Sequence, residues 1–172
     1  GLILEGNNLN RGNNYTLSKI EGEKNLLQKQ TKKTKVLILR VCNLFGHPHY
    51  KSKNCWRLLI NSVAKDLITK NKFQVKSKEN SYRNYSSIES FSEFIYRLIL
   101  TREKFKKLPK IINYCSEKNI NITEICNVIK KNINNKKNRI LFKYPEIKKV
   151  KKTYFSSKYQ TDFKNLKDKY FF

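Results

Sequence analysis

The sequence predicts an all-α protein: a long basic helical arm followed by a small helical C-terminal domain, with extended N- and C-terminal tails. Three observations lead there. The 172-residue chain carries 38 Lys+Arg against 13 Asp+Glu, a formal net charge of +25, and is only 38% hydrophobic. Between Lys53 and Lys78 the apolar residues keep to one side of a helix at ~100° per residue. Ser86-Ser-Ile-Glu89 has the form of a capping box, in which a hydroxyl and a carboxylate satisfy the first turn of a further helix.

Residues 1–30 begin Asn/Gly-rich between Gly6 and Asn14, show no apolar period, and read as a polar N-terminal extension. The sequence starts on Gly1 and contains no Met, so its start reads as processed or trimmed. Residues 31–80 form the predicted basic arm. They open with Thr31-Lys-Lys-Thr-Lys-Val-Leu-Ile-Leu-Arg-Val-Cys42, where the β-branched run permits a short strand and the basic flank permits a helix. Gly46-His-Pro-His49 supplies a turn, and Ser52 suits the N-cap of the long helix. In that helix Trp56, Leu59, Ile60, Val63 and Leu67 share one side, and Arg57, Lys65, Lys72 and Lys76 the other. A helix of ~26 residues would span ~39 Å.

Residues 81–129 form the predicted small helical domain. Ile88, Phe91, Ile95 and Leu98 give one core-facing stripe. Pro109 fits only the first turn of a helix, so the next one starts near Lys106 and turns Leu108, Ile112 and Cys115 inward. A last short helix carries Ile122, Ile125 and Val128–Ile129, and Cys115 and Cys126 read as small buried hydrophobes. Residues 130–172 hold 14 Lys+Arg and 3 Asp+Glu among Phe142, Tyr144, Tyr154, Phe155, Tyr159, Phe163 and Tyr170. Disordered tails are usually poor in rings, so this basic, aromatic-rich extension is expected to order against RNA or a neighbouring protein.

Catalysis is argued against by inventory. The glycines stand at 1, 6, 12, 22 and 46, and no Walker or dinucleotide fingerprint is present. With His47 and His49 the only histidines and the acids scattered singly, no catalytic set suggests itself, so neither an enzyme nor a cofactor is expected. Cys42, His47, His49 and Cys55 are metal-ligand types. Their spacing, Cys-x4-His-x-His-x5-Cys, lacks the close cysteine pair that clips an ion, and no metal is expected. The four cysteines are too sparse for a disulfide scaffold, which points to a reducing compartment. Arg40 and Arg97 interrupt the longest apolar runs, so no membrane span is expected.

Several segments, in order, carry a resemblance: Lys32-Lys-Thr-Lys-Val-Leu37, Leu44-Phe-Gly46, Lys51-Ser-Lys-Asn-Cys-Trp-Arg57 and Tyr82-Arg-Asn-Tyr85. Leu108, Ile112 and Cys115 come next, then Ile120-Asn121, Ile125, Asn127 and Val128. Over about residues 32–129 the chain resembles protein twenty of the bacterial-type large ribosomal subunit. It departs from that family at Ser86-Ser-Ile-Glu-Ser-Phe91, where an aromatic anchor is lost, and in carrying Lys where the family is Arg-rich.

The resemblance implies a structural constituent of the large subunit that stabilises rRNA during early assembly. Its partners would be large-subunit rRNA and neighbouring ribosomal proteins, with no small-molecule substrate and no membrane. On this reading the rRNA-binding residues are Lys32, Lys33, Lys35, Arg40, His47, Lys51, Lys53, Arg57, Lys65, Lys72, Lys76, Lys78 and Arg83. The drift and the terminal additions suggest an organellar member, mitochondrial first and plastid second. Two alternatives stand beside it: a nucleic-acid-binding regulator outside the ribosome, and an accessory subunit of an organellar membrane complex that uses its charge on anionic lipid.

Overall fold

The computed structural model describes residues 2–3, 13–47, 53–77, 80–101, 109–133, 137–143 and 154–155. Strand β1 (Leu2–Ile3) precedes helix α1 (Asn14–Gln28), and strands β2 (Ile38–Val41) and β3 (Asn43–Phe45) come after it. A 3-10 turn (Lys53–Arg57) leads into α2 (Leu59–Lys70), β4 (Lys72–Val75) and β5 (Tyr82–Ser87). Then come α3 (Ile88–Leu100), β6 (Ile111–Tyr114), β7 (Asn119–Asn121), α4 (Ile122–Ile133), β8 (Arg139–Phe142) and β9 (Tyr154–Phe155).

The architecture is α/β, which corrects the all-α expectation. β2 pairs with β6, β3 with β5, β4 with β8 and β1 with β9, each in parallel, while β7 runs antiparallel to β5. Parallel neighbours require crossover connections, and helices supply them here. The physical reason for the misreading lies in β6. Its Ile111-Ile-Asn-Tyr114 is covered on both faces, so it shows no alternation and its apolar residues pass for a helical stripe. The helix expected from Lys106 is therefore β6 in its later part, and Lys106 and Leu108 lie outside the described residues.

The long helix expected from Lys53 to Lys78 is also corrected. After the 3-10 turn Leu58 is extended, α2 runs only to Lys70, and Asn71 takes the left-handed conformation at φ 54°. Asn tolerates that region better than most residues because its short side chain can bond locally, so it ends a helix well. In β4, exposed Lys72 and Gln74 alternate with buried Phe73 and Val75, the period of two that a strand imposes. Phe73 and Val75 join Val63 and Leu67 of α2 and Cys126 of α4, with Leu59, Ile122, Ile129, Ile133 and Ile140 packed around them.

Helices α3 and α4 occupy the expected places. Ser87, one residue beyond the start of the proposed capping box, caps α3 by accepting from the Ser90 N–H at 3.1 Å. Asn121 and Glu124 cap α4 reciprocally, each side chain accepting from the other's backbone N–H at 2.9 Å. The N-terminal extension contains α1, capped by Asn13 Oδ1 accepting from the Thr16 N–H at 2.9 Å. None of α1's side chains is buried, which explains why it shows no apolar stripe. Within the C-terminal extension, β8 and β9 are described, and Tyr144, Tyr159, Phe163 and Tyr170 lie outside the described residues.

Candidate active site at the carboxyl end of the parallel strands

The register of β2 and β6 runs from Ile38 opposite Ile111 to Val41 opposite Tyr114. The Cys42 N–H extends the ladder by donating to the Tyr114 carbonyl at 3.0 Å. Open α/β sheets bind ligands just outside the carboxyl ends of their strands. Here that end is formed by Val41–Cys42 and Tyr114–Ser116.

One buried amide fixes this end. Asn84 of β5, 2% exposed, accepts through Oδ1 from the Ser116 N–H at 2.8 Å. Its Nδ2 donates to the carbonyls of Ser116 and Lys118 at 2.9 and 3.3 Å. Asn43 in turn donates to the Asn84 carbonyl at 3.0 Å, which joins β3 to the same cluster. Tyr114 sits against the rings of Phe91 and Phe94, with centroids 5.0 and 4.9 Å away, and its hydroxyl lies 3.0 Å from Ser86 Oγ. Burial pushes its phenol up, and the Ser86 hydrogen bond opposes that shift.

Helix α1 carries the exposed chemistry. Tyr15, Lys19 and Glu23 recur every four residues and so share a face. The Glu23 carboxylate receives Arg40 in a fork, Nε to Oε1 at 2.9 Å and Nη2 to Oε2 at 2.8 Å, with both side chains partly buried. This pair ties the middle of α1 to β2 next to the strand's carboxyl end. Arg40 stands one residue before the end of the β2–β6 ladder, so Glu23 fastens α1 to β2 close to the candidate site. Along the helix axis Lys19 lies ~6 Å and Tyr15 ~12 Å beyond Glu23. Tyr15 is 70% exposed, and the Lys19 ammonium stands 5.3 Å from the centre of its ring. An exposed phenol with a cation beside it is equipped to pass a proton. Sequence reasoning passed over this pair, although Asn13 and the spacing Tyr15-x-x-x-Lys19-x-x-x-Glu23 were there to find.

A second feature is a groove of about 620 Å³ between α2 and β4, lined by Ser62, Asp66, Lys70, Lys72, Gln74 and Lys76 among others. Asp66 holds Lys70 at 2.9 Å, while Lys72 and Lys76 stand exposed. Such a groove offers positive charge to an anionic ligand.

The residues expected to meet rRNA are dispersed. Lys32, Lys33 and Lys35 are exposed between α1 and β2, and Arg40 is engaged by Glu23. His47 is exposed after β3, Lys53 opens the 3-10 turn, and Arg57 is exposed at its end. Lys65 of α2 lies 5.3 Å over the Trp56 ring, and Arg83 is exposed on β5. Among the described members of this set only Lys72 and Lys76 share the groove, and they come from β4 and its end, not from one helical stripe. Lys51, Lys78 and His49 lie outside the described residues. Among the described residues no group of three or more metal-ligating side chains comes together.

No family model and no curated protein matches the chain. Solved structures do match. A dTDP-glucose 4,6-dehydratase from Bacillus anthracis in complex with NAD aligns with a TM-score of 0.70 at 17% identity, covering 98% of this chain and 50% of that one. TunA, an NAD-dependent NDP-hexosamine 5,6-dehydratase of tunicamycin biosynthesis, gives 0.68 at 17%, covering 92% and 48%. A UDP-N-acetylglucosamine 4-epimerase from Bacillus cereus gives 0.62 at 17%, covering 89% and 48%. The chain has the α/β fold of these dehydratases and epimerases. It spans about half their length.

That fold overturns the resemblance to large-subunit protein twenty, and with it the structural role on rRNA, the ribosomal partners, the exclusion of a small-molecule substrate and the non-enzyme expectation. The matching segments were short combinations of Lys, Asn, aromatic and aliphatic residues, types that this chain carries in abundance. Lys53-Asn-Cys-Trp-Arg57 is a 3-10 turn instead of the opening of a long helix. The described residues do not make a complete site for a dinucleotide. A pyrophosphate cradle needs closely spaced glycines at the turn that opens a helix, and the sequence has no Gly-x-Gly-x-x-Gly set. Gly6 and Gly12, ahead of α1, lie outside the described residues. Gly46 has the space beside it filled by Ile88, whose Cβ would lie 3.3 Å from an added Cβ.

Proposed function

We propose that this chain is part of an enzyme that modifies a nucleotide-activated sugar, with Tyr15 exchanging a proton with a sugar hydroxyl. The observation that carries the reading is the exposed Tyr15–Lys19 pair on the helix that the Glu23–Arg40 fork fastens to β2. The fold supports it, since the solved structures that share it are named for acting on sugars carried by nucleotides. Lys19 places positive charge 5.3 Å from the centre of the ring that carries the phenol. Exposed Lys72 and Lys76 in the groove between α2 and β4 suit an anionic group such as the diphosphate of such a substrate.

The test is conversion of UDP-glucose, dTDP-glucose and UDP-N-acetylglucosamine by the full-length protein supplied with NAD, with NMR of the sugar as the readout. Tyr15→Phe should lower kcat by about 10²–10⁴-fold, the usual worth of a positioned acid–base group, with nucleotide-sugar affinity nearly unchanged. Absence of both conversion and calorimetric binding for every nucleotide sugar would overturn the proposal.

A further inference from the structure

We propose that Cys42 and Cys115 form a redox site, a thiol pair that closes to a disulfide across the carboxyl ends of β2 and β6 when a small-molecule disulfide supplies the oxidising equivalents. The strand register places them together. Val41 opposite Tyr114 is the last pair, and the Cys42 N–H bonds to the Tyr114 carbonyl at 3.0 Å, so Cys42 and Cys115 are the residues that follow that pair on the two adjacent strands. Neighbouring strands lie ~4.8 Å apart. That falls within the ~4.4–6.8 Å between Cα atoms that a disulfide needs. Register partners in parallel strands direct their side chains to the same face of the sheet.

The Cys42 sulfur also lies within reach of the backbone N–H of Ser116, the residue after Cys115. Ser116 is itself clamped by Asn84, so the approach is built into a rigid corner. Both side chains are only half-buried, whereas Cys126 is fully enclosed in the α2–β4 core. A cysteine serving only as a small apolar filler belongs in the position of Cys126.

The chemistry balances with one external disulfide. The Cys115 thiolate attacks one of its sulfurs, expels a thiolate and leaves a mixed disulfide on Cys115. The Cys42 thiolate then attacks the Cys115 sulfur and expels the second. Two protein thiols lose two electrons in all, the small disulfide is reduced by the same two, and both protons pass to the departing thiolates. Burial raises the Cys42 thiol to about 11, so its thiolate is scarce at neutral pH and the closing step should accelerate as pH rises. The proposal does not depend on the sugar-modifying reading, because its readout is a covalent bond within the chain.

The experiment treats the whole protein with oxidised glutathione, blocks the remaining thiols with N-ethylmaleimide under denaturing conditions, and maps the peptides by mass spectrometry. The expected result is a peptide linked through Cys42 and Cys115, reversed by dithiothreitol and formed faster at pH ~9 than at pH ~7. Cys42→Ser should leave glutathione attached to Cys115 with no internal bridge, and Cys55→Ser should leave the bridge intact. Wild-type protein that carries only glutathione adducts, or that links either cysteine to Cys55 or Cys126, would overturn the proposal. The wild-type map decides the matter even if a variant fails to fold.

Discussion

Asn84 shows how much a single side chain can organise. It satisfies both an N–H and two carbonyls of the Tyr114–Lys118 corner while almost fully buried. Replacing it with Ala removes three hydrogen bonds from this corner, and Asn84→Ala should cost about 2–4 kcal/mol in urea denaturation. Glu23→Gln keeps the shape of its partner's site but removes the charge that meets Arg40. A loss of ~1–3 kcal/mol is expected, with α1 loosened in hydrogen exchange while β6 stays protected. Burial also raises the thiols of Cys42 and Cys126 from 9.0 to about 11. The folded state therefore favours the neutral thiol. This stabilisation is fully present below pH 9 and is lost as pH rises through about 11, so urea midpoints should fall across that window. Cys126→Val should make the fall shallower.

Single elements explain which parts of the fold are legible in the sequence. Helices α3 and α4 announce themselves through hydroxyl and amide caps at Ser87 and Asn121 and through stripes that include Leu98 and Ile125. β4 hides because Val63 and Leu67 set a helical rhythm that Lys72 and Lys76 happen to continue, and only Asn71 marks the change. That residue is testable. Asn71→Gly should be nearly neutral, while Asn71→Val should cost ~1–2 kcal/mol, because a β-branched side chain resists positive φ. Of the candidate site, Arg40 is visible as a cation but its partner Glu23 is not. Tyr15 and Lys19 sit on a helix with no buried residue, so periodicity offers nothing to detect.

Charge acts on the molecule as a whole and proves a poor guide to partners. A net +25 invites a nucleic-acid reading, yet the cations are spread over turns, strand ends and helix faces. Where Lys70, Lys72 and Lys76 do converge, the space between them is a groove, and a groove favours a compact anion over a polymer. Replacing Lys72 and Lys76 together by Gln should weaken nucleoside diphosphate binding about tenfold at low salt and flatten its salt dependence. Calorimetry at two ionic strengths would measure both effects.

The parallel pairings also set a timetable. Lys72 waits for Arg139 and Ile38 for Ile111, so each partner is made about 70 residues after the strand it joins. A chain synthesised at roughly 5–20 residues per second would leave the apolar face of β4, Phe73 and Val75, incompletely covered for ~3–13 s. Contacts so distant in sequence also slow refolding, because loop closure must be met before the pairing rewards it. The newly made chain therefore carries an unfinished apolar edge during the interval before β8 arrives.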